Sequence, residues 1–351
     1  MALRAIAGDR VDLMLVAPED AFVYRPLTVE KPYTVERLRR VPLRDAAAGA
    51  GAGYAAATIQ EVDLGRGFVT TSDGDELEYE ALVVAVGARA IPAVERALTW
   101  DDRLDAELIG GLLQDFEGGY TRRLAVIQPP GPSWPLRAYE LAFIITRDAR
   151  AMGFEIESTL VMPERSALDV LDRQTREHAW KELEAVGATV VRADEATVEP
   201  GDPMSVVLRP SETRIAVDRV MALPVLRGRA IAGIPADPDG FVAVDDHCRV
   251  PGLDRVWAIG DATASPVKAG AFAAEQADVA AEDIAAAAGA GIHPRAFDPA
   301  KRQELLGLPA GEHLRRWLST RYGEDLTTHL PSTGVPTLTY LERDLGAGWR
   351  G

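Results

Sequence analysis

Val256-Trp257-Ala258-Ile259-Gly260-Asp261-Ala262, followed by Pro266-Val267-Lys268-Ala269-Gly270 and an alanine-rich run to Ala288, is the stretch on which the reading of this chain turns. Four apolar residues running into Gly-Asp predict a buried strand that delivers a carboxylate to the carboxyl edge of a sheet. The run from about Ala269 to Ala288 predicts a helix whose positive end faces the same edge. Ligands of open α/β sheets lie at that edge, and a carboxylate there accepts hydrogen bonds from sugar hydroxyls without a metal. Gly260 permits close approach of the backbone. The bland alternative is that Asp261 only caps a helix after a strand.

Working outward, Met1 to Ala7 reads as the end of a helix closed by Gly8, and Val11 to Val16 as a parallel strand buried on both faces. Strands follow at Ala57 to Val62, Phe68 to Thr71 and Leu82 to Val86, read together as a small sheet insertion, with Gly65 and Gly67 permitting a tight reversal. The run from Ala46 to Ala57 does not match GxGxxG and reads as a flexible loop. A second series starts after Gly87, with helices at Leu104 to Phe116, Leu136 to Met152 and about Ala167 to Val186. Its strands fall at Leu124 to Gln128, Glu157 to Met162, Thr189 to Val191, Ser205 to Leu208 and Arg219 to Leu223. Alternation of this kind implies parallel sheets covered by helices on both faces. The expected architecture is α/β, with two Rossmann-like, doubly wound, three-layer domains. Residues 1–120 and 236–292 form the first, 121–235 the second, and 293–351 a tail.

The chain has 351 residues, a length that suits two domains of ordinary size. Its 38 Lys+Arg against 54 Asp+Glu give a net charge of −16, which repels phosphate backbones and argues against nucleic acid as a partner. One cysteine, Cys248, excludes an internal disulfide framework, a CxxC redox pair and a thiolate zinc cluster, and it reads as a small packing residue. His247 beside it has no second His or Cys at ligand spacing, so no metal is expected. With no long apolar span and no export signal, the expected location is cytoplasmic. Trp317, among arginines in Leu314 to Leu318, leaves peripheral membrane contact open.

Gly260-Asp261-Ala262, the Lys268-Ala269-Gly270 turn and the helix with Gln276 resemble the second flavin-binding motif of the FAD-dependent pyridine nucleotide-disulfide oxidoreductase superfamily. Leu82 to Ala88 resembles its other signature, the strand that returns from the first domain, with Val86 where threonine is usual. Phe22-Val23-Tyr24-Arg25-Pro26-Leu27 resembles the aromatic loop of the type II NADH dehydrogenase and sulfide:quinone oxidoreductase branch. The resemblance spans about Ala2 to Ala290 and implies FAD as cofactor. It gives Asp261, with Gly260 and Ala262, to the ribityl chain, and Gly270 and Ala271 to the N1/O2 edge of the flavin. Lys268 would add positive charge there, or else be a solvated surface lysine. Gly87 belongs to the returning strand, and Glu19 is the nearest acid for the adenosine ribose, or else a plain loop acid.

Two departures qualify that implication. The superfamily begins with a strand and a glycine-rich phosphate loop, and relative to it about 20 to 25 residues are missing before Met1, so a chain starting there is expected to bind FAD poorly. Where the second series should carry GxGxxG, the chain has Pro129-Pro130-Gly131-Pro132-Ser133-Trp134-Pro135. Prolines offer no amide donor, which argues against NAD(P)H on that loop. Glu164 reads as a surface carboxylate rather than a ribose ligand.

The leading expectation is an FAD-dependent oxidoreductase that passes electrons from a small-molecule donor to a quinone or other acceptor without a redox dithiol. An NAD(P)H-dependent flavin dehydrogenase is the first alternative. A non-catalytic nucleotide-binding or interaction remnant of the same fold is the second.

Overall fold

The computed structural model describes residues 1–23, 40–100, 105–133, 137–163, 177, 180–181 and 183–297. Expectations on Tyr24 to Leu27, Trp134, Pro135, Glu164, most of the Ala167 to Val186 helix and the tail beyond residue 297, Trp317 included, lie outside those residues.

The largest sheet is five-stranded and wholly parallel, in the order β10-β17-β11-β12-β13. Its strands are β10 (Leu98–Thr99), β17 (Arg219–Ala222), β11 (Arg123–Ile127), β12 (Glu157–Met162) and β13 (Ala188–Arg192). Near-continuous apolar runs make this possible, because a parallel strand covered on both faces needs apolar side chains at every position. In β11, Leu124 and Val126 face helix α4 (Arg137–Ala151), clustering with Leu141, Ile144, Ile145 and Leu160. Ala125 and Ile127 face the other way.

That second face corrects the expectation of helices on both sides. Ala125, Ile127, Val161, Val220 and Ala222 pack with Val206, Leu208 and Val217. The latter three belong to an antiparallel sheet of β14 (Glu195–Glu199), β15 (Met204–Arg209) and β16 (Arg214–Val217). Only β15 was expected among these strands. β14 and β16 carry charged ends on short segments, and their apolar content becomes legible only when β15 supplies the partner.

The remaining strands form small sheets. β8 (Leu82–Val84) and β19 (Val256–Ala258) pair in parallel, with Leu82 opposite Val256, Val83 opposite Trp257 and Val84 opposite Ala258. β8 therefore leaves the expected insertion, which consists of β5 (Ile59–Asp63), β6 (Phe68–Thr71) and β7 (Glu76–Glu78) instead. Gly67 turns the β5–β6 hairpin at φ +72°. Val84, Val256 and Ala258 pack on Val62 and Val69 of this hairpin. Trp257 points oppositely, onto Val279, Ala280 and Ile284 of helix α5 (Gly270–Ala287), where Leu3 of helix α1 (Ala2–Ala7) also packs.

β1 (Leu13–Val16) pairs in parallel with β4 (Ala52–Ala55). Two expectations are corrected here. β1 is not buried on both faces, since Met14 is 59% exposed, and the alanine-rich run is not a loop. It forms most of helix α2 (Leu43–Gly49) and then β4. Alanine's high helix propensity builds the first, while Gly53 admits the Met14 side chain so closely that a Cβ there would meet Met14 Cε at 2.8 Å.

Candidate functional site

β8 and β19 are neighbours that run in the same direction and end side by side, and each runs on to a glycine with a left-handed backbone. Gly87 has φ +67° and Gly260 φ +67°. Such a conformation costs an L-residue about 1 to 2 kcal/mol, which is why glycine occupies both places. A Cβ added at Gly87 would meet no atom within 4 Å, and the same holds at Gly270, the first residue of α5. The space over these two glycines is open to a ligand.

Between the strand end and the helix, Gly260–Ala262 makes a single tight turn that carries Asp261, partly exposed, with Ala262 buried beneath it. Several hydrogen bonds hold this turn. The Gly260 amide donates to Gln276 Oε1 at 2.7 Å, and the Thr263 hydroxyl donates to the Gly260 carbonyl at 2.9 Å. Val242 N–H donates to the Ala262 carbonyl at 2.9 Å, and Ala264 N–H donates to the Val242 carbonyl at 2.8 Å. Gln276 is thus given a role that its mere membership of the helix did not reveal.

Lys268 is not a solvated surface lysine. It is 4% exposed. Its Nζ donates to the Asp261 carbonyl at 3.1 Å and to the Thr263 carbonyl, and it stands 4.0 Å from the centroid of the Phe241 ring. Burial pulls its pKa down to about 8, against the opposing pull of the Asp261 and Asp237 charges.

Ala269, the residue before α5, is extended, and no side chain caps the first turn, which leaves the leading amides at the positive end of the helix without a side-chain partner. The helix is fixed from its far end. Asp283, 2% exposed, accepts from Arg249 at 2.6 Å and from Trp257 Nε1 at 2.9 Å. Burial works to raise the Asp283 pKa, but these two hydrogen bonds and the nearby positive charge together hold it below the ordinary carboxylate value.

The sequence-derived residues Gly87, Gly260, Asp261, Ala262, Lys268, Gly270 and Ala271 therefore gather at the ends of β8 and β19 and the start of α5. Glu19 is separate. It follows β1 on the other strand pair, is exposed, and its main-chain carbonyl accepts from the Tyr54 hydroxyl at 2.7 Å.

The proline loop after β11 is tied to this region. Ser133 N–H donates to the Pro266 carbonyl at 3.3 Å, and Lys268 N–H donates to the Ser133 carbonyl at 3.0 Å, a parallel bridge centred on Val267. Gln128 Nε2, buried, donates to Ser133 Oγ at 2.8 Å. One of the few amides this loop possesses is thereby occupied by protein rather than open to a phosphate.

Cys248 is fully buried at φ +62°, and burial with surrounding carboxylates pushes its thiol up to about 12, an inert packing residue. His247 gains acidic neighbours that spacing of His and Cys did not suggest. Asp245, Asp246 and His247 bring their ligand atoms within 4.8 Å of one another at the surface. Asp245 Oδ1 accepts from the His247 and Arg249 amides, and Asp246 Oδ1 lies 2.8 Å from His247 Nδ1, so the turn satisfies itself.

The residues present suit the isoalloxazine and ribityl half of FAD: open glycines for a flat ring, a carboxylate for sugar hydroxyls and a helix terminus for negative charge. No helix among the described residues is long and apolar enough to cross a membrane.

Residues 138–284 match the pyridine nucleotide-disulphide oxidoreductase family. No curated protein matches the chain in sequence. Among solved structures, the sulfide:quinone oxidoreductase from the hyperthermophilic bacterium Aquifex aeolicus is similar with a TM-score of 0.69 at 17% identity, over 81% of this chain and 72% of that one. A ferredoxin reductase from Rhodopseudomonas palustris gives 0.60 at 20%, over 85% and 74%. An NAD-dependent persulfide reductase from A. fulgidus gives 0.57 at 22%, over 84% and 57%. At these identities the likeness establishes the α/β fold.

Proposed function

We propose that this chain, whose residues 138–284 match the pyridine nucleotide-disulphide oxidoreductase family, is an FAD-dependent oxidoreductase that passes electrons to a quinone or another small acceptor. The observation that carries the reading is the pair of left-handed glycines, Gly87 and Gly260, that follow adjacent parallel strands, with Asp261 in the turn that leads from Gly260 toward α5. In this reading residues 1–120 and 236–292 make up the flavin half and 121–235 the second half, with 293–351 as a tail.

When bound, the flavin supplies the hydride and electron chemistry. The protein's part is binding and orientation. Asp261 accepts hydrogen bonds from ribityl hydroxyls, Gly260 and Ala262 let the backbone lie close, and Gly270 and Ala271 present amides toward negative charge. Gly87 keeps the other strand end clear, and Glu19 is assigned the adenosine ribose. Cys248, buried and held protonated, takes no part in electron transfer.

The donor is assigned as something other than NAD(P)H. Pro129, Pro130 and Pro132 lack amide donors, and the Ser133 amide already has the Pro266 carbonyl as partner. The reading places the protein in the cytoplasm, in contact with small redox molecules and not with nucleic acid.

Fluorescence titration with FAD and with riboflavin tests the reading, since the two ligands separate the flavin half from the adenosine half. Riboflavin binding, weakened about tenfold to a hundredfold by Asp261→Ala, is expected from loss of hydrogen bonds to a charged acceptor, with FAD bound poorly as the sequence leads one to expect. Failure of the wild-type chain to bind either ligand would overturn it. Anaerobic mixing with NADH is expected to leave the bound flavin oxidised, and rapid bleaching would move the assignment to an NAD(P)H-dependent dehydrogenase.

A further inference from the structure

Lys268 is the most deeply buried cation near the strand ends, and its place raises a question that a flavin contact does not answer. An ammonium aimed at a ligand keeps donors free for it. Here Nζ donates to two main-chain carbonyls of the Gly260–Thr263 turn, those of Asp261 and Thr263, and sits over the face of Phe241. All three contacts belong to the protein. The Asp261 carbonyl follows directly on the Cα that bears the Asp261 side chain, and the Thr263 carbonyl closes the same turn, so holding both fixes the backbone from which that side chain departs.

The segment that carries Lys268 is held in turn by the other half of the molecule. Lys268 N–H donates to the Ser133 carbonyl, and Ser133 N–H donates to the Pro266 carbonyl. The loop after β11 therefore positions the backbone of Lys268, while its side chain positions the turn after β19.

We propose that Lys268 is a positioning residue, a latch that fixes the Asp261 turn through its carbonyls and Phe241 and ties that turn to the Ser133 loop of the neighbouring parallel sheet. The latch rests on the flavin reading only for its consequence, since its geometry belongs to the protein alone. Its energetics have an uncommon sign. A buried ammonium is costly, and replacing it by an apolar side chain of similar length can leave global stability equal or higher while the local geometry is lost. Structural filler and latch therefore predict different results.

The groups that bear on its charge are the Asp261 and Asp237 carboxylates and the Phe241 ring. The protonated amine makes the cation–π contact, so raising the pH through about 8 removes the proton and slackens the latch.

Amide hydrogen exchange, measured without added flavin, provides the test. In Lys268→Met, exchange at Thr263 and Ala264 is expected to accelerate at least about tenfold, the factor that corresponds to about 1.4 kcal/mol, while the melting temperature holds or rises. Wild-type protection at those two amides, corrected for intrinsic exchange, is expected to fall as the pH passes about 8. Phe241→Leu, which removes only the ring, should give a smaller acceleration at the same amides. Unchanged exchange in Lys268→Met, or pH-independent protection in the wild type, overturns the latch. Should Lys268→Met fail to fold, the wild-type pH series decides by itself. FAD affinity is read separately: a wild type that binds no flavin sinks the functional reading and leaves the exchange result standing.

Discussion

The sheet built around β11 and the strand pair β8·β19 are both parallel, and both are followed by a helix, yet their carboxyl ends are made of opposite materials. β11 runs through Gln128 into Pro129 and Pro130, and the loop is closed by Ser133 bonding to Pro266 and Lys268. β8 and β19 run into Gly87 and Gly260, whose backbones turn left-handed, with open space over Gly87. Their cores differ as well. Leu124, Ala125, Val126 and Ile127 are at most 2% exposed, whereas in the strand pair Val83 of β8 is 37% exposed beside the buried Val84 and β19. One region concentrates packing and offers few donors. The other keeps the edge beyond its strand ends accessible.

Substitutions can break or sharpen that contrast. The largest effect is expected in the five-stranded sheet, where Leu160→Ala empties a site with no exposure and should destabilise the protein by about 2 to 5 kcal/mol in chemical denaturation. A cost below about 1 kcal/mol would mean that this sheet is no better packed than the strand pairs.

Next comes Asp283, which anchors α5 to Trp257 and Arg249. Asp283→Asn should cost about 1 to 3 kcal/mol at neutral pH. Because the folded pKa lies below the unfolded value, this stabilisation is fully present above the unfolded pKa and is lost as the pH falls through the folded one. The variant should therefore lose less stability than the wild type on acidification, a comparison made by denaturant titration across the acid range. Parallel stability curves for the two proteins would show that Asp283 does not carry the acid limb.

Gly260→Ala ranks third. Strain at φ +67° costs about 1 to 2 kcal/mol, and the new Cβ would sit 3.3 Å from Ala273 Cβ, pushing the turn away from α5. Thermal melting should register the strain, and flavin titration the displaced Asp261.

Met14→Ala is the smallest. With its side chain mostly in solvent, a change within about 0.5 kcal/mol is expected from the same denaturation measurement. A loss comparable to that of Leu160→Ala would show that β1 is packed in solution by something its exposure does not reveal.

Legibility followed the same divide. Glu157–Met162 was read to the residue, and the flanking strands to within one or two, because these apolar runs have strand length, are rich in β-branched residues and are bounded by turns. The alanine-rich segment at 46 to 57 reads as a loop in sequence, since alanine and glycine carry no periodicity, and β4 becomes a strand only through its backbone pairing with β1. Gly260, Asp261 and Gly270 could be placed together at one sheet edge from the sequence because a glycine-acid step between strand and helix has few structural uses. Gln276 and Phe241 were not, as nothing in a sequence tells a glutamine sixteen residues on that its carbonyl will accept from Gly260.

Sequence by itself determined the strands with continuous apolar runs, the helix that follows Gly260, the lone thiol that rules out dithiol chemistry, and the prolines that deny the second loop its donors, because each depends on local backbone chemistry or on a count. Tertiary structure decided that β8 pairs with β19, that an antiparallel sheet rather than helices covers one face of the five strands, and that Lys268 turns inward onto carbonyls and a ring. Those outcomes depend on which distant surfaces meet, and the free energy of such meetings is written in no single segment.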